Sequence, residues 1–339
     1  MLEPMHPREA VNEYLSEVEA ELAAATAQNY RYRLKKFLDW AEQAELGNMN
    51  DLHGNQLQAF KKDLMDDLAK ITVKNHLSTT RKFVRYCEDR NVAPEGVSRK
   101  IRLPTIHKGE DVRDDHITQD EIAKILDFCE IYEFATLRHT AFYLLVETGL
   151  RSGALTGLDV RDYDAEHNII SVRHRPDEET PLKNKTQSER DVYLREHPDR
   201  EYDPAEVLHH YLDQYHPFVD DKYGRIPLLG GNQGRLHYTT IQRNIYALTR
   251  PCHYTNKCPH DRVIQECEAN SYNSASKCPS SVSPHVLRKR AATDLRKEEV
   301  PKDVAEERLN MTGEVLDKHY DKRTIREKTR ARMRHLDRR

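Results

Sequence analysis

The chemistry-bearing residues lie toward the end of the chain, in Ser283-Pro284-His285-Val286-Leu287-Arg288. Serine is a favoured N-cap and proline a favoured first helical residue, so this stretch predicts a helix start. Three positions apart on that helix, His285 and Arg288 share a face near the positive end of the helix dipole. An imidazole and a guanidinium placed together there suit a phosphate. The guanidinium fork matches phosphate oxygens, and imidazole exchanges a proton near neutral pH. About thirty residues on, His319-Tyr320 offers a phenol able to attack such a phosphate. By themselves His285 and Arg288 read more simply as a solvated helix face; the remaining residues of the pattern are spread along the chain.

A second arginine, Arg151, follows the glycine of Thr148-Gly149-Leu150-Arg151. An apolar run, 134–148, should be a buried helix that Gly149 ends, placing Arg151 at the start of the next helix. A salt-bridged arginine is the alternative use. Lysines stand in Leu182-Lys183-Asn184-Lys185, between two strand-like runs, 169–172 and 191–194. Residues 182–190 read as a polar middle strand and turn, so a small antiparallel sheet with a lysine-bearing hairpin is expected.

These side chains need a scaffold, and the hydrophobic periodicity supplies one. Val11, Leu15, Val18 and Leu22 recur at helical spacing, as do Tyr30, Leu34, Phe37, Leu38 and Ala41. Further helices are expected over 54–68 and 72–90, giving an all-α domain over 1–91. Its polar faces carry Arg31, Arg33, Lys35 and Lys36, then Lys74, His76, Arg81, Lys82 and Arg85. Solvated helix faces or a surface that neutralises DNA phosphates are both consistent with that set. Residues 92–117, with Pro94, Gly96, Pro104 and Gly109, read as an extended linker. A second domain, 118–339, opens with a capping box, Thr118 with Glu121 three later. Helices are also expected over 203–215 and 239–248, and a flexible loop over 230–234. Cys87 and Cys129 fall on apolar helix faces and are expected in cores.

The set Thr148-Gly149-Leu150-Arg151, a lysine near a hairpin, His285-x-x-Arg288 and Tyr320 resembles the tyrosine recombinase (phage integrase, Xer-like) family, of an archaeal type. The resemblance covers nearly the whole chain. It implies a mainly α fold with a small antiparallel β-sheet: an all-α core-binding domain followed by a mixed α+β catalytic domain. It further implies that Arg151, His285 and Arg288 hold the scissile phosphate, that Lys185 is the general acid and that Tyr320 attacks. Lys185 is preferred because it lies five residues before Arg190 and nine before Leu194, as the family's hairpin lysine does; Lys183 is the second candidate. The implied activity is site-specific recombination or integration through a covalent 3′-phosphotyrosine, with no cofactor for the chemistry. The implied partners are double-stranded DNA and further copies of the chain, a tetramer on two DNA sites and a monomer or dimer off DNA. Two positions depart from the family pattern. Met311 stands nine residues before Tyr320, where a histidine or tryptophan is usual, and Ala154 stands where a glutamate is common. Both favour the alternative of a catalytically impaired DNA-binding relative.

Cys252, Cys258, Cys267 and Cys278 fall within twenty-seven residues, in a polar insertion over 251–281 with few large apolar side chains. Their spacing, Cys-x5-Cys-x8-Cys-x10-Cys, lacks the tight pairs of common zinc sites. A structural zinc on these cysteines, with His260 as a further ligand, or a flexible insertion with free thiols, are the two readings.

Composition bounds the rest. Of 339 residues, 33% are charged and 37% hydrophobic, enough for about two domains with modest cores and a wet surface. The net charge of −3 conceals a basic tail, Asp321 to Arg339, with nine Lys or Arg against three Asp or Glu. No stretch approaches a membrane span and the start lacks the apolar core of a signal peptide, so a cytoplasmic protein with reduced cysteines and no membrane partner is expected.

Overall fold

The structure is a computed structural model that describes residues 2–22, 24–107, 115–319 and 333; for residues 24, 25 and 317–319 it describes the backbone alone. Two compact units divide the chain between Asp114 and Asp115.

The first unit contains α1 (Pro7–Glu21), α2 (Ala24–Gln43), α3 (Gly54–Asp67) and α4 (Lys70–Asp89). Phe37, fully buried, is its centre and meets Phe60 and Phe83 edge-on, each with centroids 5.6 Å away. That geometry favours aromatic pairs beyond their buried area. The core extends past the expected domain end: Val92, Ala93, Val97 and Ile101 are all buried in it. The linker expected over 92–117 is thus corrected, since its first ten residues belong to the helical unit. Apolar side chains spaced among its prolines and glycines gave it a core face without helical periodicity. His76, read as part of a polar face, is also buried, with Nδ1 3.3 Å from the Arg33 carbonyl oxygen. Burial holds its imidazole below the ordinary value. Two expected surface cations have local partners: Arg31 pairs with Glu19, and Lys82 Nζ donates to Tyr30 Oη at 2.7 Å.

The second unit begins with α5 (Gln119–Tyr132), whose Thr118–Glu121 capping box forms as expected. Then follow α6 (Leu137–Thr148) and the short α7 (Ser152–Thr156). A three-stranded antiparallel sheet runs in order β1 (Tyr163–Asp164), β2 (Ile169–Val172) and β3 (Arg190–Tyr193), with Ile170 opposite Val192. Residues 182–190 do not supply the middle strand, which is β2. Residues 182–189 form instead a turn and a 3-10 segment, Lys185–Ser188, with Lys185 in the left-handed region at φ 55°, and Arg190 opens β3. After α8 (Pro204–Gln214), the expected flexible loop is a tight hairpin, β4 (Gly230–Gly231) with β5 (Gly234–Arg235). Helices α9 (Tyr238–Leu248), α10 (Pro251–Thr255), α11 (Pro284–Lys297), α12 (Lys302–Leu309) and α13 (Gly313–His319) complete it. Among the described residues no helix is long and apolar enough to cross a membrane.

Three helices meet at Gly149. It ends α6 in the left-handed region, φ 60°, with its N–H on the Leu145 carbonyl. A Cβ there would lie 2.5 Å from Leu309 Cδ2 of α12 and 3.2 Å from Ala291 Cβ of α11. Only glycine meets both demands, so this residue fixes the turn and lets α11 and α12 close over it. Nearby, the buried Glu147 accepts from Arg195 Nε at 2.9 Å and from Arg308, and lies 2.9 Å from His197 Nε2. Those partners outweigh burial and hold its carboxyl below the ordinary 4.5.

Candidate phosphate-binding site

Gly149 delivers Arg151 as the N-cap residue of α7. Its guanidinium reaches across to the end of α12, donating from Nη1 to Asn310 Oδ1 and from Nη2 to the Asn310 carbonyl, both at 3.3 Å. Arg288, one turn into α11, is 2% exposed. It donates to the carbonyls of Gly149 and Leu309, and at 3.3 Å to that of Asn310. The two arginines, 137 positions apart in sequence (288 − 151), therefore converge on one carbonyl oxygen.

His285 is the second residue of α11 and exposed. Partial desolvation, then the charges of Lys289, Arg288, Arg151 and Lys183, hold its imidazole below the ordinary value of 6.5. That direction favours the neutral imidazole, the form that accepts a proton. Of the two candidate lysines, the charge of Lys183 bears on His285; Lys185 stands two residues on, exposed, at the left-handed start of the 3-10 segment. Tyr320 lies outside the described residues, as does the basic tail except for residue 333.

Sequence reasoning missed several members of this site. Arg190 donates from Nε to the Arg308 carbonyl and from Nη1 to the Ser188 carbonyl, both at 2.9 Å. Burial first, then the charges of Arg151 and Arg308, pushes its guanidinium down to about 10. Asn310 Oδ1 accepts from Ser188 Oγ at 2.8 Å and Asn184 Nδ2 at 3.2 Å as well as from Arg151. Asn310 itself sits at φ 47°, the left-handed C-cap of α12, and asparagine after a helix was the signal that could have located it. The two departures have local explanations in packing. Met311 packs on the apolar cluster of Ala291, Ala292, Leu295, Ala305, Leu309 and Leu316, and Ala154 on the main core.

The cysteine segment is organised differently. Among the described residues no three or more His, Cys, Asp or Glu side chains converge as a metal site. Cys258 and Cys278 lie close enough to Cys252 to bear on it electrostatically, whereas Cys267 has Arg262 beside its sulfur at 4.0 Å. His260 Nε2 is 3.0 Å from Ser280 Oγ. The segment is pinned by polar contacts to its neighbours. Arg250, buried, donates to the Ala269 carbonyl at 2.5 Å and to Asn270 Oδ1 at 3.2 Å. Tyr272 Oη donates to Asn244 Oδ1 of α9 at 3.3 Å. Cys87 and Cys129 are core residues, as expected, and burial pushes both thiols up.

Two family descriptions match the chain. The phage integrase family matches residues 115–313, more than half of the 339, and the phage integrase N-terminal SAM-like domain matches residues 11–91. This chain belongs to the phage integrase family. The catalytic-domain match ends at residue 313, before Tyr320. A tyrosine recombinase XerC of Pseudomonas syringae pv. tomato is 26% identical over 156 residues, 45% of this chain and 51% of that protein. The chain thus spans about half the length of the curated relatives it matches. Among solved structures, the Tn1549 transposon integrase in complex with transposon right end DNA is 15% identical over 98% of this chain and all of that one, with a TM-score of 0.70. A lambda integrase tetramer bound to a Holliday junction is 15% identical, covers 95% of this chain and 81% of that one, and has a TM-score of 0.63. The two structures share this fold, mainly helical with a small antiparallel sheet, as the sequence implied.

Proposed function

We propose that this protein is a site-specific DNA recombinase that cuts and rejoins DNA through a covalent 3′-phosphotyrosine on Tyr320. The observation that carries the reading is the convergence of Arg151 and Arg288 on the Asn310 carbonyl, with His285 near enough to feel both charges. In-line attack forms a bond between phosphorus and the Tyr320 oxygen and breaks the bond from phosphorus to the 5′ oxygen. His285 takes the phenolic proton, and a lysine, Lys185 or its neighbour Lys183, gives one to the departing 5′ oxygen. Arg151 and Arg288 offset the charge that develops on the non-bridging oxygens, so the step needs no metal. The ester conserves the phosphodiester energy, and a second 5′ hydroxyl reseals the strand by the reverse sequence.

Double-stranded DNA is the proposed substrate, and a tetramer on two sites the proposed working assembly; the lambda integrase neighbour is a tetramer bound to a Holliday junction. The cytoplasm is the proposed location. A second reading, an impaired DNA-binding relative, is favoured by Met311, which offers the phosphate no hydrogen-bond donor. Nicked DNA duplexes carrying candidate sites from beside the gene, on which cleavage frees a short strand and stalls religation, separate the two. An adduct that survives detergent supports the enzyme. Tight, salt-sensitive binding without an adduct on any candidate site supports the impaired relative.

A further inference from the structure

Three residues of the loop that carries both candidate lysines bond to a single residue, Asn310. Asn310 Oδ1 accepts hydrogen bonds from Asn184 Nδ2 at 3.2 Å and Ser188 Oγ at 2.8 Å, one on each side of Lys185. Asn310 Nδ2 donates to the Gln187 carbonyl at 3.1 Å. The same Oδ1 accepts from Arg151, whose other nitrogen holds the Asn310 carbonyl. One carboxamide thus joins three residues of the lysine loop to the arginine of the phosphate site. The loop needs such an anchor, because Lys185 is held at φ 55°, a conformation that L-residues with side chains keep only when their surroundings enforce it.

We propose, on the recombinase reading above, that Asn310 is a positioning residue for the proton donor. It holds the 182–190 loop against Arg151, so that a lysine of that loop meets the 5′ oxygen leaving the same phosphate that Arg151 binds. It does not itself touch the reacting atoms.

The variant that tests this is Asn310→Gly. Glycine adopts the left-handed conformation of position 310 without strain and removes only the carboxamide. Cleavage is measured on two nicked substrates, one ordinary and one with sulfur in place of the bridging 5′ oxygen. A thiolate leaves without being protonated, so the sulfur substrate bypasses the general acid. General-acid catalysis is worth roughly 10²–10⁴-fold, and a loosened donor should forfeit part of it. Asn310→Gly is expected to slow cleavage of the ordinary substrate about tenfold to a hundredfold, with DNA affinity unchanged, and to cleave the sulfur substrate within about threefold of the parent. An equal loss on both substrates overturns the proposal, since Asn310 would then act on the arginines or the fold. An unchanged rate on the ordinary substrate overturns it too. If Asn310→Gly does not fold, the double variant Asn184→Ala/Ser188→Ala, which removes two loop-side donors, is held to the same outcomes. A parent protein that forms an adduct with neither substrate removes the recombinase reading together with the proposal.

Discussion

Gly149→Ala should destabilise the second unit and disturb the candidate phosphate site together. Position 149 is in the left-handed region, where a Cβ costs roughly 1–2 kcal/mol. The new methyl would also lie 2.5 Å from Leu309 Cδ2 and 3.2 Å from Ala291 Cβ. Leu309 is fully buried and Ala291 belongs to a helix, so neither neighbour moves aside cheaply. Overpacking of this kind costs about 1–3 kcal/mol. The sum, about 2–5 kcal/mol, corresponds to a fall in Tm of roughly 4–20 °C for a unit of this size. The clash also pushes on the Leu309 and Asn310 carbonyls that hold Arg288 and Arg151, so DNA cleavage should fall at temperatures where the variant remains folded. Gly153 provides the internal control. It lies within α7 with ordinary backbone angles and nothing within 4 Å of an added Cβ. Gly153→Ala should therefore be neutral or stabilising by up to about 1 kcal/mol. Chemical denaturation of both variants, following the second unit's transition, is the assay. Equal effects at the two glycines, or a loss below about 1 kcal/mol for Gly149→Ala, would refute the reasoning.

Glu147→Gln should cost about 2–4 kcal/mol, because it leaves the partly buried Arg308 without its carboxylate and Arg195 with only the half-exposed Glu298. The carboxyl is held below 4.5, so its contribution is full above that pH and is lost as pH falls through the folded value. The Tm gap between parent and variant should narrow in acid, and a gap independent of pH would contradict this. His285 is held down partly by Lys289, so Lys289→Met should raise the imidazole's titration toward 6.5, as NMR reads it; no change or a fall would contradict the assignment. Arg250→Ala should expose residues 251–281 to protease, since that side chain pins the Ala269 and Asn270 backbone region. Metal analysis tests the zinc reading of Cys252, Cys258, Cys267, Cys278 and His260 separately: stoichiometric zinc would support it, and metal-free protein with unchanged folding after replacement of all four cysteines would end it.

Local signals were legible wherever a single element settles them. The Thr118 capping box, the Gly149 stop and the Ser283-Pro284 helix start all stand as the residue types indicated, because each depends on neighbours within one turn. Tertiary contacts decided what was not legible. His76 looked polar on its helix and is buried where α2 and α4 meet, its ring on the Arg33 carbonyl. Residues 182–190 read as a polar strand and turn, but Asn184, Gln187 and Ser188 bond to the Asn310 carboxamide, and only Arg190 joins a strand, β3. The expected flexible loop at 230–234 closes as a hairpin in which Gly234, at φ 84°, passes too close to the Asp220 backbone for any Cβ. Nor does charge mark the surface, since Glu147, Asp159, Arg225 and Arg288 are buried. Arg151 and Arg288 could be named from the sequence pattern, but their meeting at Asn310 depends on how α7, α11 and α12 pack.

The central claim rests on Tyr320 and is tested most directly by finding where DNA becomes attached. Protein trapped on a nicked duplex would be digested, and the peptide that carries the nucleotide sequenced by mass spectrometry. The account predicts one modified residue, Tyr320, joined to a 3′ phosphate, with no adduct from Tyr320→Phe. An adduct on another residue, or one that persists in Tyr320→Phe, would contradict it.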